Sequence, residues 1–172
     1  MADECVIGAD VGTSSTRVIV FKADGSVVAE GRAAHDLRRP HPGWVEQEAD
    51  WWWDAFCHAS REALASAALA SGQLKGVAIT HQRQSFVGLD ERGRPTRPAI
   101  LWNDTRCAEQ VEWAIERFGA QRIYERTGFP ASTFSVYKIL WIRDNEADVF
   151  ARTRKWLLVQ DYSVYRLTGR MV

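Results

Sequence analysis

Three short runs rich in Val and Ile open the chain, over residues 5–10, roughly 14–22 and 26–34, and each reads as a β-strand. Between the second and third, Ala23-Asp24-Gly25-Ser26 is a hairpin signal, because Asp-Gly suits a two-residue loop. The stretch RRPHPGWVEQEAD that follows is a loop, its prolines excluding regular structure. From about Asp50 to Ser71 the pattern becomes helical, with Asp50 near the cap and Gly72 just past the end. Trp53, Phe56, Ser60, Ala63, Leu64 and Ala67 form its expected buried face. LKGVAIT (74–80) reads as a buried strand, SFVGLD with ERGR as a strand and its turn, and PAILW (98–102) as another short strand. A stripe of Ala108, Val111, Ile115 and Phe118 predicts a helix over 104–118 that Gly119 ends, and two or three further helices fill 120–169, the last stopped by Gly169. Three strands in succession, then strands alternating with helices, predict an α/β domain: a mixed sheet flanked by helices.

Composition narrows the class. At 172 residues the chain suits one domain and is tight for two. Lys plus Arg equals Asp plus Glu at 22 each, which gives no electrostatic case for nucleic acid or an acidic membrane surface. No apolar run approaches membrane-spanning length, and the opening MADECVIGAD carries acids where a signal peptide carries positive charge. Cys5, Cys57 and Cys107 are far apart and form no CxxC pair, which points to a reducing, cytoplasmic setting rather than a disulfide framework or a zinc site. The eight tryptophans read as core packing. There is no internal repeat and no low-complexity segment. The chain closes on the apolar Met171-Val172 rather than a polar tail, so residue 172 is expected to fall within a longer polypeptide.

Four segments could carry chemistry. In Asp10-Val11-Gly12-Thr13-Ser14-Ser15, with Arg17 just beyond, an acid at a strand end meets a glycine that lets backbone approach closely and three hydroxyls in a row. Phosphoryl transfer needs N–H groups and hydroxyls on phosphate oxygens, plus a carboxylate for a hydrated magnesium ion. A plain β-turn with hydroxyls bonding their own backbone reads equally well. In THQRQSF the polar His81, Gln82, Arg83 and Gln84 follow an apolar strand, either as a hydroxyl-recognising set for a sugar or polyol or as a solvated strand end. In LWNDTR, Asn103 and Asp104 sit where a helix cap alone would justify them, although Asp104 and Arg106 beside a tryptophan would also clamp sugar hydroxyls. In PGWVEQ a Pro-Gly turn pinned by a buried Trp44 is the better reading.

Taken together, these segments resemble the FGGY carbohydrate kinases, the family of xylulokinases, glycerol kinases, gluconokinases and ribulokinases. IGADVGTSSTRVIVF is similar to the family's first phosphate-binding segment, HPGWVEQEADWWWDAF to its P-G-W-x-E-Q segment and tryptophan helix, ITHQRQSF to its substrate strand, RPAILWNDTRC to the next strand, and LLVQDYSVYRLTG to a later helix. The resemblance covers essentially the whole chain, in order, as the N-terminal portion of such a kinase. It implies a ribonuclease-H-like fold of the actin-like ATPase superfamily, ATP and Mg2+ as cofactors, a small sugar or polyol as substrate, and a homodimer. Gly12, Thr13, Ser14, Ser15 and Arg17 would then face the nucleotide phosphates, and Asp10 would act on the metal through water. Gln82, Arg83 and Gln84, with Asn103 and Asp104 nearby, match the positions that hold substrate hydroxyls.

Departures from the branches matter. Glycerol kinases share Gln82-Arg83 but place a glutamate at Gln84 and a tyrosine near Thr133, while xylulokinases share PAILWND but have a methionine and a histidine at Arg83 and Gln84. The WND segment favours a ketose, with a glycerol-kinase-like enzyme or a non-catalytic sugar-binding protein on the same scaffold as alternatives. The family's general base, an aspartate, falls beyond the stretch that this chain matches, and so does its adenine-binding lobe, which implies that the 172-residue chain is inactive by itself.

Overall fold

The computed structural model describes residues 4–171; residues 1–3 and 172, on which the reading of the two chain ends partly rests, lie outside the described residues. The elements in chain order are β1 (Cys5–Val11), β2 (Ser15–Lys22), β3 (Val27–Ala34), β4 (Glu46–Gln47), α1 (Ala49–Ala67), β5 (Leu74–His81), β6 (Phe86–Leu89) and β7 (Ala99–Ile100). There follow α2 (Ala108–Phe118), α3 (Ala120–Thr127), α4 (Ser135–Asn145), α5 (Ala147–Arg152), β8 (Lys155–Leu158) and α6 (Val159–Thr168). They divide between two compact units, the first drawn from Met1–Asp36, Glu48–Gln82 and Val159–Val172, the second from Leu37–Gln47 and Arg83–Leu158. The chain passes from one unit to the other at residues 36–37, 47–48, 82–83 and 158–159. No helix among the described residues is long and apolar enough to cross a membrane.

In the first unit the sheet order is β3-β2-β1-β5, with β1, β2 and β3 antiparallel and β5 parallel to β1. A parallel neighbour needs a crossover, and α1 supplies it. Strand alternation sends Cys5, Ile7, Ala9, Val18 and Val20 to one face, where they pack on Phe56, Ala59 and Ala63 of α1. The buried stripe of α1 is Ala49, Trp52, Ala55, Phe56, Ala59 and Ala63, rotated from the expected face: Trp52 is enclosed while Trp53 packs only partly. The small side chains decide this, because β3 comes against α1 at Gly31, where an added Cβ would lie 2.2 Å from the Ala59 carbonyl oxygen. The helix also stops early, at Ala68 in the left-handed conformation (φ 49°), before Gly72, and Glu48 rather than Asp50 takes the N-cap position. Asp50 instead accepts from the Tyr162 hydroxyl (2.9 Å) and from Arg166, both on α6. β5, expected to be buried, alternates between half-buried and exposed positions because it is an edge strand of the sheet.

The second unit carries an antiparallel sheet in the order β4-β7-β6-β8. Both β4, inside the expected loop, and β8, inside the expected helical tract, are short strands whose pairing only a folded chain supplies. Helix α2 starts at Ala108, later than expected, and buries Gln110, Val111 and Ala114, leaving Ile115 and Phe118 toward solvent. Its core contacts are Cys107 and Tyr137, in a cluster of their own.

The approach at Gly31 sets a packing test. Gly31→Ala should destabilise the protein by about 1–3 kcal/mol through overpacking, whereas Gly76→Ala, with nothing within 4 Å of its Cβ position, should be near neutral. Urea denaturation of both variants checks this.

Candidate active site

The first cluster lies in the first unit, where β1 hands over to β2. Gly12 N–H donates to the Ser15 carbonyl (3.0 Å), closing a tight turn, and His35 N–H fastens it to β3 through the Ser14 carbonyl (3.1 Å). A side chain at Gly12 would meet the Ser15 carbonyl oxygen at 3.3 Å, so the turn would have to give by a few tenths of an ångström to accept one. Asp10, Gly12, Thr13, Ser14, Ser15, Arg17 and Arg32 line one cavity of about 230 Å3. All the residues assigned to phosphate by sequence are therefore together, and Arg32 joins them from β3. Arg32 donates to the Ser15 hydroxyl from Nε (3.3 Å) and Nη2 (3.1 Å). Arg17 is paired with Glu30 at 2.5 Å. Among the described residues, no cluster of three or more His, Cys, Asp or Glu side chains could hold a metal ion. A carboxylate acting through water fits that set: Asp10, exposed at the end of β1 beside hydroxyls and arginines, suits a hydrated magnesium ion carrying phosphates.

Of the residues assigned to the sugar by sequence, Gln82 falls in the first unit, and Arg83, Gln84, Asn103 and Asp104 fall in the second. Gln82 is buried, and its N–H donates to the Val11 carbonyl (3.0 Å). Arg83 is exposed. Gln84 adopts φ 68°, a left-handed conformation uncommon outside glycine, and the cost of such strain is borne most often at binding sites. Its conformation is fixed by Ser135 at the start of α4, whose N–H (3.2 Å) and hydroxyl (2.9 Å) donate to Gln84 Oε1. The amide nitrogen of Gln84 has no partner among the described residues and stays able to donate.

Around Gln84 the segment Leu101-Trp102-Asn103-Asp104 is held from three sides. Trp102 N–H donates to the Ser85 hydroxyl (2.9 Å), and the buried Lys138 ammonium donates to the carbonyls of Leu101 (2.6 Å) and Trp102 (2.9 Å). Asp104, fully buried, accepts from Val45 N–H (2.6 Å) and from the Arg106 guanidinium (2.7 and 2.9 Å). Asp104 is thus neither a helix cap nor an exposed clamp: Cys107 precedes α2, and both Asp104 oxygens are already engaged in holding the segment. Asn103 Oδ1 is buried and finds no donor among the described residues, while the Trp102 indole is half exposed beside it. An apolar aromatic face next to unpaired amides suits a ligand with C–H faces and hydroxyls.

Arg106 explains the PGWVEQ segment. Its side chain is 0% exposed, paired to Glu46 (2.8 Å) and Asp104 (2.7 Å), and its guanidinium carbon sits 3.8 Å from the Trp44 ring centroid and 5.0 Å from that of Trp141. Trp44 is half-buried over this guanidinium rather than an inert core residue. The turn itself docks through Gly43, at φ 77°, whose carbonyl accepts from Thr105 N–H (2.9 Å).

The fold is that of the α/β actin-like ATPase class, and the comparisons that follow give the family. The family model for the N-terminal domain of the FGGY family of carbohydrate kinases matches residues 5–172, and the chain belongs to that family. It is 39% identical over 168 residues to a xylulose kinase of Streptomyces rubiginosus, covering 96% of this chain and 34% of that protein. It is 33% identical over 175 residues to a glycerol kinase of Thermococcus onnurineus, covering 99% of this chain and 35% of that protein. A crystal structure of xylulose kinase from Rhodospirillum rubrum superposes with a TM-score of 0.91 at 30% identity, over 98% of this chain and 35% of that one. The chain thus spans about a third of the length of the curated relatives it matches.

Two outcomes follow from the brace. Arg106→Met should cost about 3–5 kcal/mol, because it leaves buried carboxylates without their cation, and Arg106→Lys should recover only part of that loss, since it cannot span two carboxylates and two rings; denaturant unfolding of both variants measures this. Lys138 supplies the second. Burial, only partly offset by Cys107 and Asp104, lowers its ammonium from the ordinary 10.5 to about 8. Between those values the unfolded chain keeps the proton that the folded chain has released, so this group makes stability rise with pH across that window. Lys138→Met should flatten that alkaline rise, which unfolding measured from pH ~7.5 to ~10 will show.

Proposed function

We propose that this chain supplies the first phosphate-binding segment and the sugar-contacting side of an ATP-dependent kinase acting on a hydroxyl of a sugar or polyol, a ketose of the xylulose type foremost. The observation that carries the reading is the cavity at the β1–β2 turn, where a carboxylate, a glycine, three hydroxyls and two guanidinium groups converge. Phosphoryl transfer rests on positioning and charge neutralisation, and this set offers both. Gly12, Thr13, Ser14, Ser15 and Arg17 face the ATP phosphates; Asp10 holds the hydrated Mg2+, which when bound neutralises phosphate charge.

On the sugar side, Gln82, Arg83, Gln84 and Asn103 offer hydroxyl-recognising groups, and Asp104 serves by holding Asn103 and Trp102 in place. The ketose is favoured by the WND segment and by the xylulose kinases among the relatives. Gln84 stands where neither branch's usual residue does, so its amide is the natural discriminator of substrate.

The complete gene product should release ADP from Mg-ATP with one member of a panel of pentuloses, hexuloses, glycerol, aldoses and sugar acids, a pentulose being expected. Gln84→Leu should raise the KM for that sugar about tenfold, the worth of a lost hydrogen bond, and leave the KM for ATP unchanged. A folded, ATP-binding protein with no turnover on any member would overturn the kinase reading and favour a sugar-binding role.

A further inference from the structure

Strand register puts an uncommon row of charges across the outer face of the first sheet. Asp10 on β1 stands opposite Arg17 on β2, and Arg17 stands opposite Arg32 on β3. All three point away from α1, because the core-facing positions of these strands are their odd or even alternates, such as Ala9, Val18 and Gly31. The row therefore reads minus, plus, plus. Two like charges directly opposite on an antiparallel ladder repel, and sequences usually avoid the arrangement.

The two guanidinium groups are not balanced alike. Arg17 has Glu30 at 2.5 Å. The Arg32 guanidinium pairs with no carboxylate among the described residues; its donors Nε and Nη2 rest on the Ser15 hydroxyl, and the one acid that reaches Arg32, Glu62, accepts from its backbone N–H at 2.8 Å. Ser15 belongs to the phosphate turn, so that contact holds the uncompensated cation at the rim of the cavity that Asp10, Gly12, Thr13, Ser14 and Arg17 also line. A multiply charged anion lying between Arg17 and Arg32 turns the repulsion into attraction.

We infer that Arg32 is a second phosphate-binding guanidinium of this site, taking oxygens of a polyphosphate chain from the side opposite Asp10. The inference rests on the kinase reading given above and assigns one more residue to the same site. Guanidinium suits the task because its planar fork donates two bonds to a phosphate and keeps its charge at any working pH.

The test uses the complete gene product carrying Arg32→Gln, Arg32→Lys or Arg17→Gln, each checked by circular dichroism and thermal midpoint against the parent. Arg32→Gln should raise the KM for ATP about 10- to 100-fold, the worth of a charge-assisted contact, with the sugar KM unmoved, and Arg32→Lys should restore part of that loss. Calorimetric titration with inorganic tripolyphosphate, free of any turnover, should show weaker binding by Arg32→Gln and a shallower dependence on salt, since one screened charge is gone. If Arg17→Gln weakens ATP and tripolyphosphate while Arg32→Gln matches the parent, the role of Arg32 is overturned and the kinase reading stands. If neither variant alters either measurement, the turn is not the phosphate site, and both readings fall. If Arg32→Gln lowers the thermal midpoint and Arg32→Lys gains nothing in tripolyphosphate affinity, Arg32 only braces Ser15, and the inference is overturned.

Discussion

A guanidinium removed from water needs partners, and in the second unit Arg106 takes them from elements far apart in sequence, although its Nη1 is buried with no acceptor among the described residues. Glu46 of β4 and Asp104 meet its N–H groups, while Trp44 and Trp141 cover its faces. Glu46 also pairs with Arg97 at 2.5 Å, and Arg97 with Glu146 at 2.9 Å. Such a network contributes little net stability when complete, and its partial loss is expensive. What it supplies is definition: the Pro-Gly-Trp turn, β4, Asp104 and the middle of α4 are gathered around one side chain. Trp102 stays half exposed beside Asp104, which, two residues from Arg106, is held inside.

The first unit solves a different constraint. A strand has two faces, and here one faces α1 while the other carries Asp10, Arg17 and Arg32. Alanines on α1 and Gly31 on β3 bring helix and sheet into close contact on that side. Charge is thereby confined to the outer face and to the turn that ends β1. The Gly12 N–H to Ser15 carbonyl bond closes that turn beside the cavity that Asp10, Arg17 and Arg32 line.

Much of this was legible in the residues. The first three strands, their hairpin, the crossover helix and the order of motifs follow from period-two and helical spacing, and the phosphate set from Asp10 to Arg17 is a contiguous run that a turn must gather. Less legible were contacts made by distant partners. Helical spacing places Phe56 and Ala63 correctly on the buried stripe of α1 but offers Trp53, whereas the folded helix encloses Trp52 and the alanines that face Gly31. β4 and β8 were missed because a two- or four-residue strand has no periodicity of its own and exists through its neighbour. Arg32 carried no local signal at all: only the ladder register sets it opposite Arg17. Local sequence offers Asp104 as a cap or a clamp, whereas the folded chain buries it between Arg106 and the Val45 N–H, far earlier in the chain.

By itself, then, the sequence determined the α/β class and the family, because those depend on local spacing and residue type. Tertiary structure alone decided which carboxylates are buried and already engaged, which amides remain unpaired and which charges stand side by side. Burial and cross-strand register are properties of pairs of segments, and no single stretch of chain contains them.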